Sequence, residues 1–535
     1  MRSLLDLFHR NVFAILVVVL AMCGLCTSQQ AGKSDSVQPP TNSGELAPHK
    51  IFPLSKIQEK VIGEITAGSK VAGARTTENH LAWGEKAKDG SHIVRLDGKQ
   101  VGAGYDDVTN LGFSADQEHL IWTAKRGSKW LVVVDGEEKS RPYGKLTSPT
   151  INANGKHFAV GACEQKRCKL VVDGEETGPE FEDISYPGFS ADGAHFVYGG
   201  KRDKQWILLL DGKQIGPEMR DFHSWEFSPE YSRVAVAALF KDGWTWVVDG
   251  VANPTYEVLS HIAFTRDGKH FAYAGTNSKK AMFGKNKTVG SLVIDGKVEH
   301  TYDGSGFGGG WQGAFATYNI VTGVRNLQPD FYGLSDPTYA EDGSLIYAAR
   351  RGDNDVVVFF HGEAGPAVED VVSPVIVTDD GSHLAYVVKR GEQFVQVRDQ
   401  KFGSSFPGKR SASYVPYIML AQDGSRLACE IVRGGNAFKQ GMSQRALRRF
   451  VIDGKADPEF DALGMSHFVF NSDRKHSAYE VIGASGDRDV VVVDGMESKY
   501  YDSVFRGSTK FIQDDVVEYI AQDGGKFYRV SQSLN

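Results

Sequence analysis

An all-β fold assembled from tandem four-stranded sheets is what this sequence predicts, and three observations carry the prediction. The first is an Asp-Gly pair at Asp97, Asp135, Asp173, Asp211 and Asp249, each 38 residues after the last. It returns at Asp295, Asp453 and Asp494, and in altered form at His361-Gly362 and Asp399-Gln400. The second is a motif out of phase with it: FSADQ at Phe113, INANG at Ile151, FSADG at Phe189, FSPEY at Phe227 and FTRDG at Phe264. It continues as YAEDG at Tyr339, VTDDG at Val377, LAQDG at Leu420, FNSDR at Phe470 and FIQDD at Phe511. With a worn first copy near Ala74, this makes about eleven units. The third is the 60 glycines, about 11% of the chain against an average near 7%, which implies many turns and many short strands.

Self-similarity at a period near 40 residues marks a solenoid or a propeller, and residues 189–216 show which. Phe189-Ser190 ends a strand, Ala191-Asp192-Gly193 turns, and HFVYGG is the next strand. KRDK turns again and QWILLLDG follows, with Asp211-Gly212 able to supply the two positive-φ positions of a type I′ hairpin. KQIGPE leaves as a fourth strand. Four short antiparallel strands joined by tight turns make a propeller blade. No long helical periodicity interrupts the pattern. The Asp-Gly pairs therefore read as turn chemistry, written once per blade, rather than as catalytic or metal-binding groups.

Propeller rings usually hold four to eight blades, so about eleven repeats of roughly 38 residues predict two rings. The seam falls between Tyr302 and Phe331, where the Asp-Gly period breaks from 38 to 66 residues. The domain division is then residues 51–302 for repeats 1–6, 303–330 for a Gly- and aromatic-rich insertion, and 331–535 for repeats 7–11. The last unit ends after its third strand, and KVIGEI at Lys60 reads as a lone fourth strand. If these pair, the chain ends close one ring and abolish an exposed edge. The ring holding both ends then encloses the other in sequence, or one unusually large ring forms.

Phe-Ser-x-Asp-Gly, followed by an apolar strand and a Lys/Arg-x-Gly turn, is similar to the WD-like repeats of bacterial TolB-type propellers over most of residues 74–530. The resemblance implies the fold. The Gly-His and Trp-Asp signatures and an amino-terminal α/β domain are missing, so a TolB role does not follow from it. Nor is the sialidase Asp-box present, since Ser190-Ala191-Asp192-Gly193 lacks a residue between Asp and Gly.

Residues 1–26 read as a signal peptide or lipoprotein signal: Arg2 and Arg10 flank the start of an apolar run of 14 residues, Val12 to Leu25, too short for a spanning helix. Leu20-Ala21-Met22-Cys23 resembles a lipobox and makes Cys23 a candidate lipidation site, although Met22 is bulky there. Cleavage after Cys26 or Ser28 is the alternative. Residues 27–50, rich in Ser, Gln, Pro and Gly, form a flexible linker. The expected location is the periplasm, with any membrane contact made through the N-terminal lipid or signal anchor. Cys163 and Cys168 flank EQKR at a hairpin tip and are a candidate disulfide in an oxidising compartment. Metal binding there is disfavoured for want of a second ligand pair, and Cys429 reads as a buried filler.

Overlong loops show where function could sit. Residues 275–290 and 433–450 are long second-to-third-strand loops, and 304–333 and 402–417 are long connections between blades, so all four belong to one face. Long loops on a rigid scaffold commonly carry function. Lys279, Lys280, Lys285 and Lys287 in one loop, and Arg433, Lys439, Arg445, Arg448 and Arg449 in another, are basic without local compensation. They predict an anion-attracting face for an envelope protein, an anionic glycan or a lipid headgroup. Against this, the ordinary Lys-Arg turns have acids near them and need form no more than exposed salt bridges worth about 0–1 kcal/mol. A net charge of −7 argues against nucleic acid as a partner of the whole body. GSGFGGGWQG at 304–313 satisfies G-x-G-x-x-G, but that motif needs a strand-to-helix crossover; Phe307 and Trp311 read instead as packing or contact residues.

No catalytic motif is present: G-x-S-x-G, H-E-x-x-H and a P-loop are all missing. His157, His195, His270, His383 and His476 share one repeat position, and Trp130, Trp206 and Trp246 another, which reads as blade packing. No catalytic, cofactor or metal residue is assigned. The leading expectation is an exported, non-catalytic binding or scaffold propeller of the bacterial cell envelope. The alternative is a propeller hydrolase or lyase acting on glycans or peptides at a central channel, with a metal- or cofactor-dependent oxidoreductase ranked last.

Overall fold

The computed structural model describes residues 49–535 apart from 68, 70, 78–79, 191, 280–286, 304–324, 328–336, 353–354, 408–412, 434–445 and 484–486. Within them the chain builds eleven sheets in succession. Blade 1 comprises residues 71–105, blade 2 107–138, blade 3 145–181, blade 4 183–219, blade 5 221–252 and blade 6 258–303. Blade 7 comprises 338–364, blade 8 370–407, blade 9 413–462, blade 10 464–497 and blade 11 503–533. The architecture is an all-β propeller.

Blade 4 shows why the sequence folds this way. Its first strand is in two pieces, Asp183–Ile184 and Gly188–Phe189, and is followed by Phe196–Arg202, Gln205–Leu210 and Lys213–Met219. Leu210 pairs with Lys213 across a two-residue turn, in which Asp211 has φ 51° and Gly212 φ 77°. Only residues tolerant of the left-handed region fit both positions of such a turn. The ten residues at this site, from Asp97 to Asp494, lie between φ 46° and 51°, so the 38-residue period is a repeated local conformation. Second and third strands are covered on both sides and read as continuous apolar runs. In blade 2, Ile121, Trp122, Val132 and Val133 are all buried, and each such aliphatic side chain contributes about 1.5–3 kcal/mol.

Packing between blades runs in one circuit. Continuous apolar clusters join blades 1 and 2, 2 and 3, 3 and 4, 4 and 5, and 5 and 6. The expected seam is no gap: Ala274 and Leu292 of blade 6 pack with Tyr347 and Ala349 of blade 7, and Tyr302 Oη lies 3.1 Å from Tyr347 Oη. Further clusters link blades 7 and 8, blades 8 to 10, and blades 10 and 11. Finally Phe527 of blade 11 packs on Leu81 and Trp83 of blade 1. Two successive rings split at residues 303–330 would require blade 6 on blade 1 and blade 11 on blade 7, and an enclosed ring would require contacts that skip over its blades; among the described residues the apolar clusters join 6 to 7, 11 to 1 and otherwise consecutive blades. The two-ring expectation is corrected accordingly. The usual blade number is a tendency of rings, whereas the inter-blade packing of this chain passes through all eleven sheets before it closes.

Closure depends on the N-terminus. Ile57–Glu64 pairs antiparallel with Lys526–Ser533 and supplies the fourth strand of blade 11. Lys50–Ile51 pairs parallel with Met496–Glu497 at the edge of blade 10. A Cβ on Gly63 would meet the Trp83 ring at 2.5 Å, so glycine allows this strand to lie against blade 1. Arg325–Leu327 adds a further strand beside Val375–Val377 of blade 8.

Candidate functional site

The propeller has two faces of different character. On one lie the turns between first and second strands and the Asp-Gly turns. There the aspartate does more than shape a turn. Asp211 Oδ1 accepts the backbone N–H of Phe196 at 3.0 Å, and Oδ2 lies 2.7 Å from His195 Nδ1. The same pairing joins His80 to Asp97, His119 to Asp135, His157 to Asp173, His270 to Asp295, His383 to Asp399 and His476 to Asp494, at 2.6–2.9 Å. Arg233 and Arg426 replace the histidine in blades 5 and 9. In blade 7 the roles exchange, with His361 in the turn and Asp342 as its partner.

These groups also stitch neighbouring blades. A Cβ on Gly155 of blade 3 would fall 1.9 Å from the His119 ring of blade 2. Arg233 Nη1 donates to Lys269 O of blade 6 at 3.1 Å, and Arg426 Nη1 to Arg474 O of blade 10 at 2.7 Å. His119, Arg233 and Arg426 thus act as clamps between blades, and the histidines of this position are partly exposed rather than interior packing. The Asp135 hydrogen bond holds His119 above its usual pKa. The tryptophan slot also needs correcting. Trp130, Trp206 and Trp244 are equivalent, pairing with Lys125, Lys201 and Leu239, whereas Trp246 lies two residues further on, buried, with Nε1 donating to Ser260 O at 3.0 Å.

On the opposite face open the strand ends that flank residues 280–286, 304–336, 408–412 and 434–445. Of the predicted contact residues, Lys280, Lys285, Lys439, Arg445, Phe307 and Trp311 lie outside the described residues, as does Cys23. Lys279 and Lys287 pair at the open end of the blade 6 hairpin. Two arginines expected to be uncompensated have partners. Arg433 donates to Glu459 at 2.9 and 2.6 Å. Arg448 is buried, donating to Glu430 at 2.7 Å and to Ala462 O at 3.3 Å. Arg449 is half-buried, and burial followed by the charge of Arg433 holds its guanidinium below the usual pKa.

Ordinary turns on this face are largely balanced, as Lys389–Glu369 at 2.6 Å and Arg167–Glu180 at 2.8 Å illustrate. Lys125 and Lys201 lie over Trp130 and Trp206. Cys163 and Cys168, directly opposed in blade 3, are joined by a disulfide. Cys429 is buried, and burial pushes its thiol up to about 12.

Sequence reading missed two further groups. Where first strands of blades 5 and 6 meet, His261 Nδ1 lies 3.2 Å from Glu226 Oε1, and burial, reinforced by His261, lowers the pKa of His223. Deeper in the sheets stand buried acids. Glu480 accepts from Thr509 Oγ1 at 2.9 Å, Gly507 N at 3.1 Å and Ser466 Oγ at 3.2 Å, and burial pushes it up to about 7. Burial raises Glu430 to about 6 despite Arg448. Glu85 accepts from Arg95 Nε at 2.6 Å, Thr66 Oγ1 at 2.8 Å and Trp83 Nε1 at 3.2 Å. Burial raises it, but these donors outweigh burial and leave it below the usual range. A lone Glu inside apolar LACEIVR and SAYEVI was the available signal.

No family model and no curated protein matches the chain. Among solved structures it is similar to a eukaryotic initiation factor, at 10% identity and TM-score 0.35, covering 73% of this chain and 94% of that one. It is similar to a prolyl endopeptidase at 13% identity and TM-score 0.28, covering 64% of this chain and 54% of that one. A third likeness is the β-propeller domain of the Trilobed protease from Pyrococcus furiosus, at 11% identity and TM-score 0.24, covering 56% and 92%. Similarity at this level carries no inference about activity. The class defined by the sheets themselves is a β-propeller.

Proposed function

We propose that the chain is an exported, non-catalytic propeller of the WD-like, TolB-type kind that serves as a binding scaffold at the bacterial cell envelope. The observation that carries this reading is the opposition of two faces. The N-terminal segment joins the body beside the Asp494-Gly495 turn of blade 10 and the first turn of blade 11, while the strand ends flanking all four long insertions open on the other face. A chain held by its N-terminus then keeps the insertion face free for a partner. Charge supports the assignment. Insertions 280–286, 408–412 and 434–445 contain no Asp or Glu and carry Lys280, Lys285, Lys409, Arg410, Lys439 and Arg445, whereas the ordinary turns around them are largely ion-paired. An acidic protein or glycan of the envelope fits that face.

The test is salt-dependent capture of envelope components by the full chain and by a variant with those six residues changed to Ser. Capture reduced at least tenfold, and weakened by salt in the parent only, is expected. Equal capture by both chains would overturn the reading. The alternative, a channel-site hydrolase or lyase, is favoured by the His261–Glu226 pair with His223 alongside. Glycan or peptide cleavage that Glu226→Gln abolishes would establish it.

A further inference from the structure

The turn between first and second strands departs from its pattern in blade 5. At the position whose N–H donates back to the carbonyl three residues earlier, six blades place glycine: Gly155, Gly193, Gly268, Gly343, Gly381 and Gly424, with φ from 67° to 81°. Packing explains the choice in blades 3 and 9, where a Cβ would fall 1.9 Å from the His119 ring and 2.5 Å from the His383 ring of the preceding blade. Gln117 and Arg474 hold the same region with long, flexible side chains. Blade 5 instead places Tyr231 there, at φ 53°, its N–H donating to Ser228 O at 2.8 Å. A bulky side chain is an outlier in this region. Such strain persists where the surroundings over-determine it, commonly at a ligand site.

The junction beside this tyrosine is open. Between the Asp211-Gly212 turn of blade 4 and the Tyr231 turn of blade 5 lies a cavity of about 270 Å³. Leu210, Ile215, Phe227, Tyr231 and Val234 form its apolar wall, Val234 buried and the others half-buried. The Tyr231 ring stands edge-on to Phe227, with centroids 6.5 Å apart. His195, Ser232, Arg233 and Asp249 complete the lining. Both basic groups are already engaged. His195 Nδ1 lies 2.7 Å from Asp211 Oδ2, and Arg233 Nε donates to Asp249 Oδ2 at 2.7 Å while Nη1 reaches Lys269 O at 3.1 Å.

We propose that this cavity binds one pyranose ring of a neutral glycan. Its size admits a single ring rather than a drug-sized ligand. Its charge is balanced, since Asp211 faces His195 and Asp249 faces Arg233, which leaves nothing to attract an ion. An aromatic side chain would suit the wall, but it would strip water from His195, Ser232 and the Arg233–Asp249 pair without replacing it, at a cost in free energy. A pyranose meets both halves of the lining. Its C–H face lies on Phe227 and Tyr231, whose ring faces carry negative charge. Its hydroxyls, each both donor and acceptor, answer the polar side chains. The site sits on the Asp-Gly-turn face, opposite the insertions, and takes a neutral ligand, so it stands or falls apart from the acidic partner proposed for the insertion face.

The experiment titrates the full chain with methyl glucopyranoside, methyl N-acetylglucosaminide, methyl glucuronide and p-cresol, read by saturation-transfer NMR. The expected result is transfer to the ring protons of a neutral sugar, with a Kd on the order of 1 mM, as suits so small a ligand. Tyr231→Gly writes the residue that six other blades carry, so the chain should fold, and sugar binding should weaken about tenfold or more. Tyr231→Phe keeps the ring and should stay within about threefold of the parent. The variant with six insertion residues changed to Ser should bind sugar as the parent does. Tighter binding of glucuronide or p-cresol overturns the neutral-sugar assignment. Unchanged binding by Tyr231→Gly, or loss of binding in the six-residue variant, overturns the site, and no transfer to any of the four probes overturns both.

Discussion

In blade 4 the backbone N–H of Gly199 donates to Ser185 Oγ at 2.7 Å. At the same register of blade 10, three residues beyond the one pinned by the Asp-Gly carboxylate, stands the buried Glu480. Blades 3, 6 and 8 follow blade 4: Gly161 N donates to Thr147 Oγ1, Ala274 N to Ser260 Oγ and Val387 N to Ser373 Oγ, at 2.7–2.9 Å. Blade 9 follows blade 10 with Glu430, and blade 1 places Glu85 one residue later. Where the chain repeats regularly, first and second strands are joined by neutral bonds that ask little of their surroundings. Blade 11 keeps the neutral bond, Ile520 N donating to Ser508 Oγ at 3.0 Å, but in blades 9, 10 and 1 carboxylates are buried, and a buried charge must be compensated or change its protonation. Glu85 has Arg95 and enough further donors to outweigh burial; burial lifts Glu430 despite Arg448, and lifts Glu480 towards neutrality against donors that carry no charge.

The largest effect that would sharpen this contrast is Glu85→Ala. It leaves Arg95 without its carboxylate at the junction of blades 11 and 1, and a loss of about 3–5 kcal/mol is expected in denaturant unfolding. A loss under about 1 kcal/mol would break the comparison.

Next is pH. Glu430, Glu480 and Asp457 have folded pKa values raised to about 6, 7 and 6, chiefly by burial. The folded state therefore binds protons more tightly than the unfolded chain. Their stabilisation is complete below the unfolded values and is lost as pH rises through the folded ones. Buried His467, whose pKa burial lowers, acts in the opposite sense as pH falls through its unfolded value. Net stability should be higher at pH 5 than at pH 8, with Glu480 contributing on the order of 3 kcal/mol. Unfolding curves of Glu480→Gln should show a flatter pH dependence; an unchanged slope would remove Glu480 from the account.

Ser185→Ala tests the regular half and should cost about 1 kcal/mol, equally at both pH values. Smallest of all, His195→Ala removes a partly exposed pair with Asp211 and should shift stability by no more than about 1 kcal/mol, fading with salt.

The blade was legible because its signals are short-range: Asp211-Gly212 sits in a turn whose two strands differ by only a few residues in sequence, and the out-of-phase Phe-Ser motif marks the neighbouring turn. The candidate site was less so. Arg433 looked uncompensated because Glu459 lies 26 residues away, and Arg448 looked exposed because its loop is basic, although Glu430 waits across the hairpin. The histidines were recognised as equivalent, but the reach of His119, Arg233 and Arg426 to the next blade's turn could not be read from a single repeat.

By itself the sequence determined the strands, the type I′ turns and the all-β class, because a positive-φ pair and an apolar run act on neighbours within one hairpin. The pairing of KVIGEI with the last unit was also open to sequence reading, and Ile57–Glu64 does complete that sheet; tertiary structure alone decided that packing passes through eleven sheets before closing and which arginines meet an acid. Those outcomes depend on how one blade lies against the next, an angle summed over every side chain at the interface and written in no single motif.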